Sequence, residues 1–200
     1  MRFRRLCGLT IAASLTSVLA FADGDSLRTY QTSNMVMFGN PAVLKAGGAT
    51  LFRSKQRVEM RVATSGLNMN SSYTVWWIVF NNPAACGVGG CGLNDLGNPD
   101  VRASVLYAAG FVTGLGDSGN VTAHLDAGEP PKGVDVELGD GLERGNGLAA
   151  EIHLVVRTHG VTTPGVVDKQ IGSFNGGCSP SCSNVQAAGF KPVATHRDED

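Results

Sequence analysis

The chain has 200 residues, 42% of them hydrophobic and 16% charged, with seventeen acidic residues against sixteen basic ones. That length suits one domain with a core of its own. So even a charge excludes the dense positive surface that a phosphate backbone demands, and nucleic acid is not an expected partner.

At the N-terminus, Arg2, Arg4 and Arg5 precede an uncharged run from Leu6 to Leu19, and Ala20-Phe21-Ala22 puts small residues at the −3 and −1 positions of a cleavage site. This is the pattern of a secretory signal peptide over residues 1–22, followed by an exported domain over 23–200. The apolar run is shorter than the ~20 residues of a spanning helix. No later segment approaches that length, so no membrane span is expected after cleavage, and the expected location is secreted or periplasmic. Loss of the leader removes three basic residues and no acidic one, which leaves thirteen against seventeen and a net charge of −4. It also removes Cys7. The remaining Cys86, Cys91, Cys178 and Cys182 are an even set, which an oxidising compartment turns into disulfides. Local pairing is the simplest of the three possible connectivities. The rival use is a tetrahedral zinc site of four thiolates.

Along the mature chain, glycines punctuate short runs of β-branched and aromatic residues, an all-β pattern. Arg57–Val62 alternates strictly and puts Val58, Met60 and Val62 on one face of a half-buried strand. After a Ser-Gly-Leu-Asn turn, Tyr73–Phe80 is apolar on both faces and should be central and covered on both sides. Residues 84–100 read as a loop holding the first cysteine pair. Its Asn94, Asp95, Asn98 and Asp100 offer oxygens to calcium, but in a spacing that turn formation explains at least as well. Strands resume over residues 101–113 and 120–125. The Gly116-Asp117-Ser118-Gly119 between them resembles a serine-protease nucleophile motif, yet all four histidines lie downstream, so it reads as a turn. A polar passage with Pro130-Pro131 then crosses an end of the sheet. Residues 149–158 form another strand, and 166–171 a short one. Together these predict a single antiparallel β-sandwich or partly closed barrel with long glycine-rich loops.

Glu151–His159 is the most suggestive segment. In a strand, Ile152, Leu154 and Val156 face the core, and Glu151, His153, Val155, Arg157 and His159 share the other face. Imidazole is a common metal ligand, so His153 and His159 suggest a divalent metal. A straight strand holds them roughly 20 Å apart, so each needs further partners such as His124 or Asp126. The simpler reading is a solvated polar face with Glu151 and Arg157 in surface pairs; the other makes them ligand-binding groups. Trp76 and Trp77 point to opposite faces, so at least one packs in a core. The other either lies beneath a loop or offers a platform to a glycan.

His159-Gly-Val-Thr-Thr-Pro164-Gly165, followed by Val166 to Gln170-Ile171, resembles the closing segment of CHRD domains: a histidine at a strand end, a Pro-Gly turn, and a strand ending in glutamine. Ser65-Gly66-Leu67 and Gly119-Asn120-Val121-Thr122 fall where that family has comparable features, so the resemblance spans roughly residues 57–171. It implies an exported β-rich module, related in architecture to the copper/zinc superoxide dismutase sandwich and without general catalytic activity. Where that family carries a histidine-bearing strand this chain reads Val75-Trp76-Trp77-Ile78, and it has no His-x-His copper motif. The chain's general style also resembles exported bacterial proteins. The expected function is thus a non-catalytic module that binds an extracellular or periplasmic ligand or builds a surface. The competing expectations are a metal site on His124, His153 and His159, and glycan binding through an exposed tryptophan.

Overall fold

The computed structural model describes residues 28–40, 43–129 and 135–193. The signal segment with Cys7, the Pro130-Pro131 pair, His196 and the acidic tail lie outside the described residues. The elements are β1 (Thr29–Met37), β2 (Val43–Arg53), β3 (Arg57–Thr64), β4 (Ser71–Phe80), β5 (Ala103–Val112), β6 (Gly119–Asp126), β7 (Val136–Leu138), β8 (Glu151–Val161), α1 (Val167–Gly172) and β9 (Ser183–Phe190). The strands form one antiparallel sheet, ordered β6-β3-β2-β1-β9-β8-β4-β5-β7 and curled into a half-barrel. The chain is therefore all-β, as its punctuation predicts. Curling brings β5, near one end of the order, against β6 at the other.

Side-chain alternation explains how the barrel fills. The predicted strand at 57–62 is β3, with Val58, Met60 and Val62 all inside. They meet Leu51 from β2, Trp77 and Val79 from β4, and Leu154 from β8 in one core. All ten residues of β4 are buried, which bears out the two-sided apolar run. Its neighbours β5 and β8 satisfy the backbone on both edges. Its outward side chains, Trp76, Ile78 and Phe80, form a second cluster with Val101, Val105 and Cys91. That outer cluster is roofed by the 84–100 loop and by the segment after β8.

Both cysteine pairs are local disulfides, Cys86–Cys91 and Cys178–Cys182. The first packs into the outer cluster through the buried Cys91. Within the 84–100 loop, Asp95 accepts from the Gly92 N–H at 2.8 Å, and Asn98 Oδ1 from the Asp100 N–H at 3.0 Å, so these oxygens close turns.

Residues 166–171, read as a strand from their β-branched start, are instead largely the single-turn helix α1. Both edges of β8 are already taken, by β4 and β9, so no ladder position is left beside it. α1 lies flat on β4 and β5 instead. A side chain at Gly110 would run into the carbonyl of Ile171, so the glycine permits that approach. Gln170 is fully buried; it donates to the carbonyls of Val161 and Gly177 and accepts from the Thr163 N–H, each at 2.9 Å.

Candidate functional site

The outward face of β8 is covered rather than solvated, because residues 166–182 fold back over it. Arg157 stacks on the ring of Phe174, 4.1 Å from its centroid. Each of its three nitrogens donates within the chain: Nε to Phe174 O (2.7 Å), and the terminal pair to Asn184 and Asn175 (2.9 and 2.8 Å). Burial lowers the guanidinium's pKa. Glu151 is buried too, held between His153 Nε2 and Lys191 Nζ at 2.8 Å each. Surface pairing is thus the wrong description of this face. Arg157 locks β8 to the segment that covers it, and Glu151 ties the start of β8 to the residue after β9.

His159 has no exposure at all. Its tautomer follows from its partners. Trp76 Nε1–H can only donate, and does so to Thr74 Oγ1 at 2.8 Å; the Thr74 hydroxyl lies 3.0 Å from His159 Nε2. Gly176 O, 2.9 Å from Nδ1, can only accept. The consistent arrangement is a neutral ring with its proton on Nδ1. The same nitrogen also lies 3.2 Å from Cys182 Sγ. Burial pushes the imidazole pKa below its usual value, and the nearby Arg157 charge adds to this, against an opposing hydrogen bond to Gly176.

A pH dependence follows. The unfolded chain takes up this proton near pH 6.5, the folded chain only at lower pH. Below about pH 6.5 the unfolded state binds more protons, so stability falls on acidification, by at most ~1.4 kcal/mol per pH unit. Urea midpoints for wild type should fall between pH 7 and pH 5.5, and the fall should flatten in His159→Gln. Equal slopes in the two proteins would refute the assignment.

The three predicted metal ligands do not converge. His124 is exposed on β6, 3.9 Å from Asp126, and four strands separate β6 from β8. His153 lies edge-on to Phe80, 5.1 Å between ring centroids, toward the other end of β8 from His159. Among the described residues, the group of three with metal-ligand spacing is instead His159, Cys178 and Cys182, whose sulfurs are joined to each other. Trp76 and Trp77 do point to opposite faces, but each is 1% exposed, so neither offers a platform to a sugar. Trp76 lies under the covering segment, edge-on to Phe174 at 4.8 Å and to Tyr107 at 5.9 Å.

An open polar cleft lies across the sheet, on the outward face of β1, β2, β3 and β6. Tyr30, Phe52, Glu59 and His124 are directly opposite one another on these four strands. Tyr30 and Phe52, both half-buried, tilt against each other at 6.2 Å, and the Arg61 guanidinium sits 4.9 Å over the Phe52 ring. Arg57 clasps Asp126 with two hydrogen bonds, and Arg61 lies 3.6 Å from Glu59. The cleft these side chains line has a volume of about 630 Å³. The hydrogen bond from Arg57 holds the Asp126 carboxyl below its usual pKa, so it stays an acceptor. Neither aromatic was singled out from sequence. Both belong to strands that pattern alone does not delimit, although Phe52 does follow Leu51 in an alternating stretch after Gly47-Gly48.

No family model, no curated protein and no solved structure matches this chain. The described residues contain no helix long and apolar enough to cross a membrane.

Proposed function

We propose that the protein is an exported, non-catalytic binding module that takes a polyhydroxylated, carbohydrate-type ligand in the cleft over Tyr30 and Phe52. The leader-like N-terminus and the two disulfides support export. One observation carries the ligand class: a half-exposed aromatic pair ringed by paired charges in an open cleft. Aromatic faces accept the C–H surface of a sugar ring. Planar guanidinium and carboxylate groups match vicinal hydroxyls, and charges already paired are pre-organised at low cost. With Asp126 clasped by Arg57 and Glu59 beside Arg61, the cleft is built for hydrogen bonding more than for proton transfer.

Calorimetric titration with neutral and uronic-acid oligosaccharides tests this reading. Saturable binding is expected for at least one of them, and Phe52→Ala and Arg61→Ala should each weaken it by about tenfold, or about 1.4 kcal/mol. Heat-free titrations throughout, or binding indifferent to both substitutions, would overturn it.

A further inference from the structure

The two disulfides stand in different surroundings. Cys86–Cys91 packs its buried sulfur among apolar side chains. Cys178–Cys182 has both residues half-buried and is asymmetric: the Cys178 Sγ contact with Asn175 O, at 3.2 Å, lies at the exposed surface. The Cys182 Sγ contact is the partly buried one, with His159 Nδ1. The hydrogen-bond series Trp76–Thr74–His159 fixes the proton on the nitrogen that faces this sulfur. In the disulfide form that proton goes mainly to Gly176 O, at 2.9 Å; a charged acceptor competes for it better than a neutral sulfur does, so the shared N–H would hold a Cys182 thiolate better than the disulfide.

We propose that Cys178–Cys182 is a thiol–disulfide exchange site, with Cys178 the sulfur attacked and Cys182 the leaving group stabilised by His159. A low-molecular-weight thiol is the co-substrate. Its thiolate gives an electron pair to Cys178 Sγ, the S–S bond breaks, and Cys182 leaves as a thiolate with the bond's electrons. A second thiolate then attacks the external sulfur of the mixed disulfide and frees Cys178. The external thiols are oxidised to one disulfide while the protein pair is reduced to two thiols. Exchange speeds up as the leaving thiol becomes more acidic, which is what Nδ1–H donation achieves.

The loop does not depend on the disulfide for its position. The Ser179 N–H donates to His159 O at 2.8 Å, and Gln170 Nε2 holds Gly177 O at 2.9 Å. Gly160, at φ +81°, lets Ser179 come against β8 where a side chain would collide. Cys182 therefore stays opposite the imidazole after the S–S bond opens.

The test treats the oxidised full chain with reduced glutathione, quenches with acid, alkylates and maps adducts by mass spectrometry. Cys178–Cys182 should open at least about tenfold faster than Cys86–Cys91, with glutathione trapped on Cys178. His159→Gln should slow that opening by about tenfold, the loss of one charge-assisted hydrogen bond. Cys86–Cys91 is the internal control for folding, since a variant that opened the domain would speed both pairs together. His159→Asn, which can place an N–H near the position of Nδ1, serves as the second variant and should recover part of the rate. Equal rates for the two disulfides would overturn the proposal. So would adducts on Cys182, or a rate that neither variant changes while Cys86–Cys91 stays protected.

Discussion

Replacing Arg53 with alanine is expected to destabilise the domain by about 3–5 kcal/mol, which places it among the most damaging single changes available. Arg53 ends β2, is 2% exposed and has no carboxylate among its hydrogen-bond partners. Nε donates to Gly147 O at 2.7 Å; the terminal nitrogens donate to Gln31 Oε1 and Lys191 O at 2.8 Å each, and to Ala150 O. Burial lowers its pKa to about 10, so it is still charged at neutral pH. One side chain thus joins β1, β2, the passage before β8 and the residues after β9. Losing it would leave the carbonyls of Gly147 and Ala150 short of a donor, at about 1–3 kcal/mol for each that water cannot reach, while that of Lys191 keeps Gln31 Nε2. An apolar isostere gives no escape. A buried ion pair can be exchanged for hydrophobic residues because both partners go, whereas carbonyls cannot be mutated away. Arg53→Met should therefore lose most of what Arg53→Ala loses. Urea unfolding followed by tryptophan fluorescence measures both, and a loss under about 1 kcal/mol would show that water satisfies those carbonyls.

What the sequence revealed depended on how local the cause was. β3 and β4 were legible because alternation, and its absence, follow directly from which faces are buried. The disulfide pairing was legible as the simplest choice, since short spacings favour it. β9 was not, because Ser183–Phe190 is small and weakly apolar and gains its place only by lying between β1 and β8. β1 and β2 likewise lack a pattern that delimits them, and Tyr30 and Phe52 lie on these strands. Spacing along β8 correctly kept His153 and His159 apart. It could not show that the second face of that strand is covered, because the cover comes from Phe174, Asn175 and Gly176, residues with no helix or strand pattern. The placement of His124 depends on which strands adjoin, a long-range property: β6 pairs with β3 and, through the curl of the sheet, packs against β5 rather than β8.

Trp76→Ala and Trp77→Ala are each expected to cost about 3–5 kcal/mol, the usual range for truncating a buried aromatic. Their local consequences should nevertheless differ. Trp77 fills the barrel interior beside Val75, Val79 and Leu154, and its loss opens a cavity closed off by the whole sheet. Trp76 faces outward and carries the covering segment, through Phe174 edge-on and through its hydrogen bond to Thr74, which in turn orients His159. Without it, residues 166–182 lose the main apolar surface they rest on, while the barrel beneath remains paired. Under native conditions trypsin should then cut after the exposed Lys169 faster in Trp76→Ala than in Trp77→Ala at matched global stability. Trp76→Phe helps to separate the two contributions: it keeps a ring against Phe174 but removes the N–H along with part of the indole's volume, at about 1–3 kcal/mol. Slow cleavage in Trp76→Phe with fast cleavage in Trp76→Ala would assign the anchoring to the ring. Fast cleavage in both would assign it to the hydrogen-bond series that ends at Cys182. Equal cleavage in Trp76→Ala and Trp77→Ala would mean the segment opens only with the whole domain, and the outer cluster would then be an inseparable part of the core.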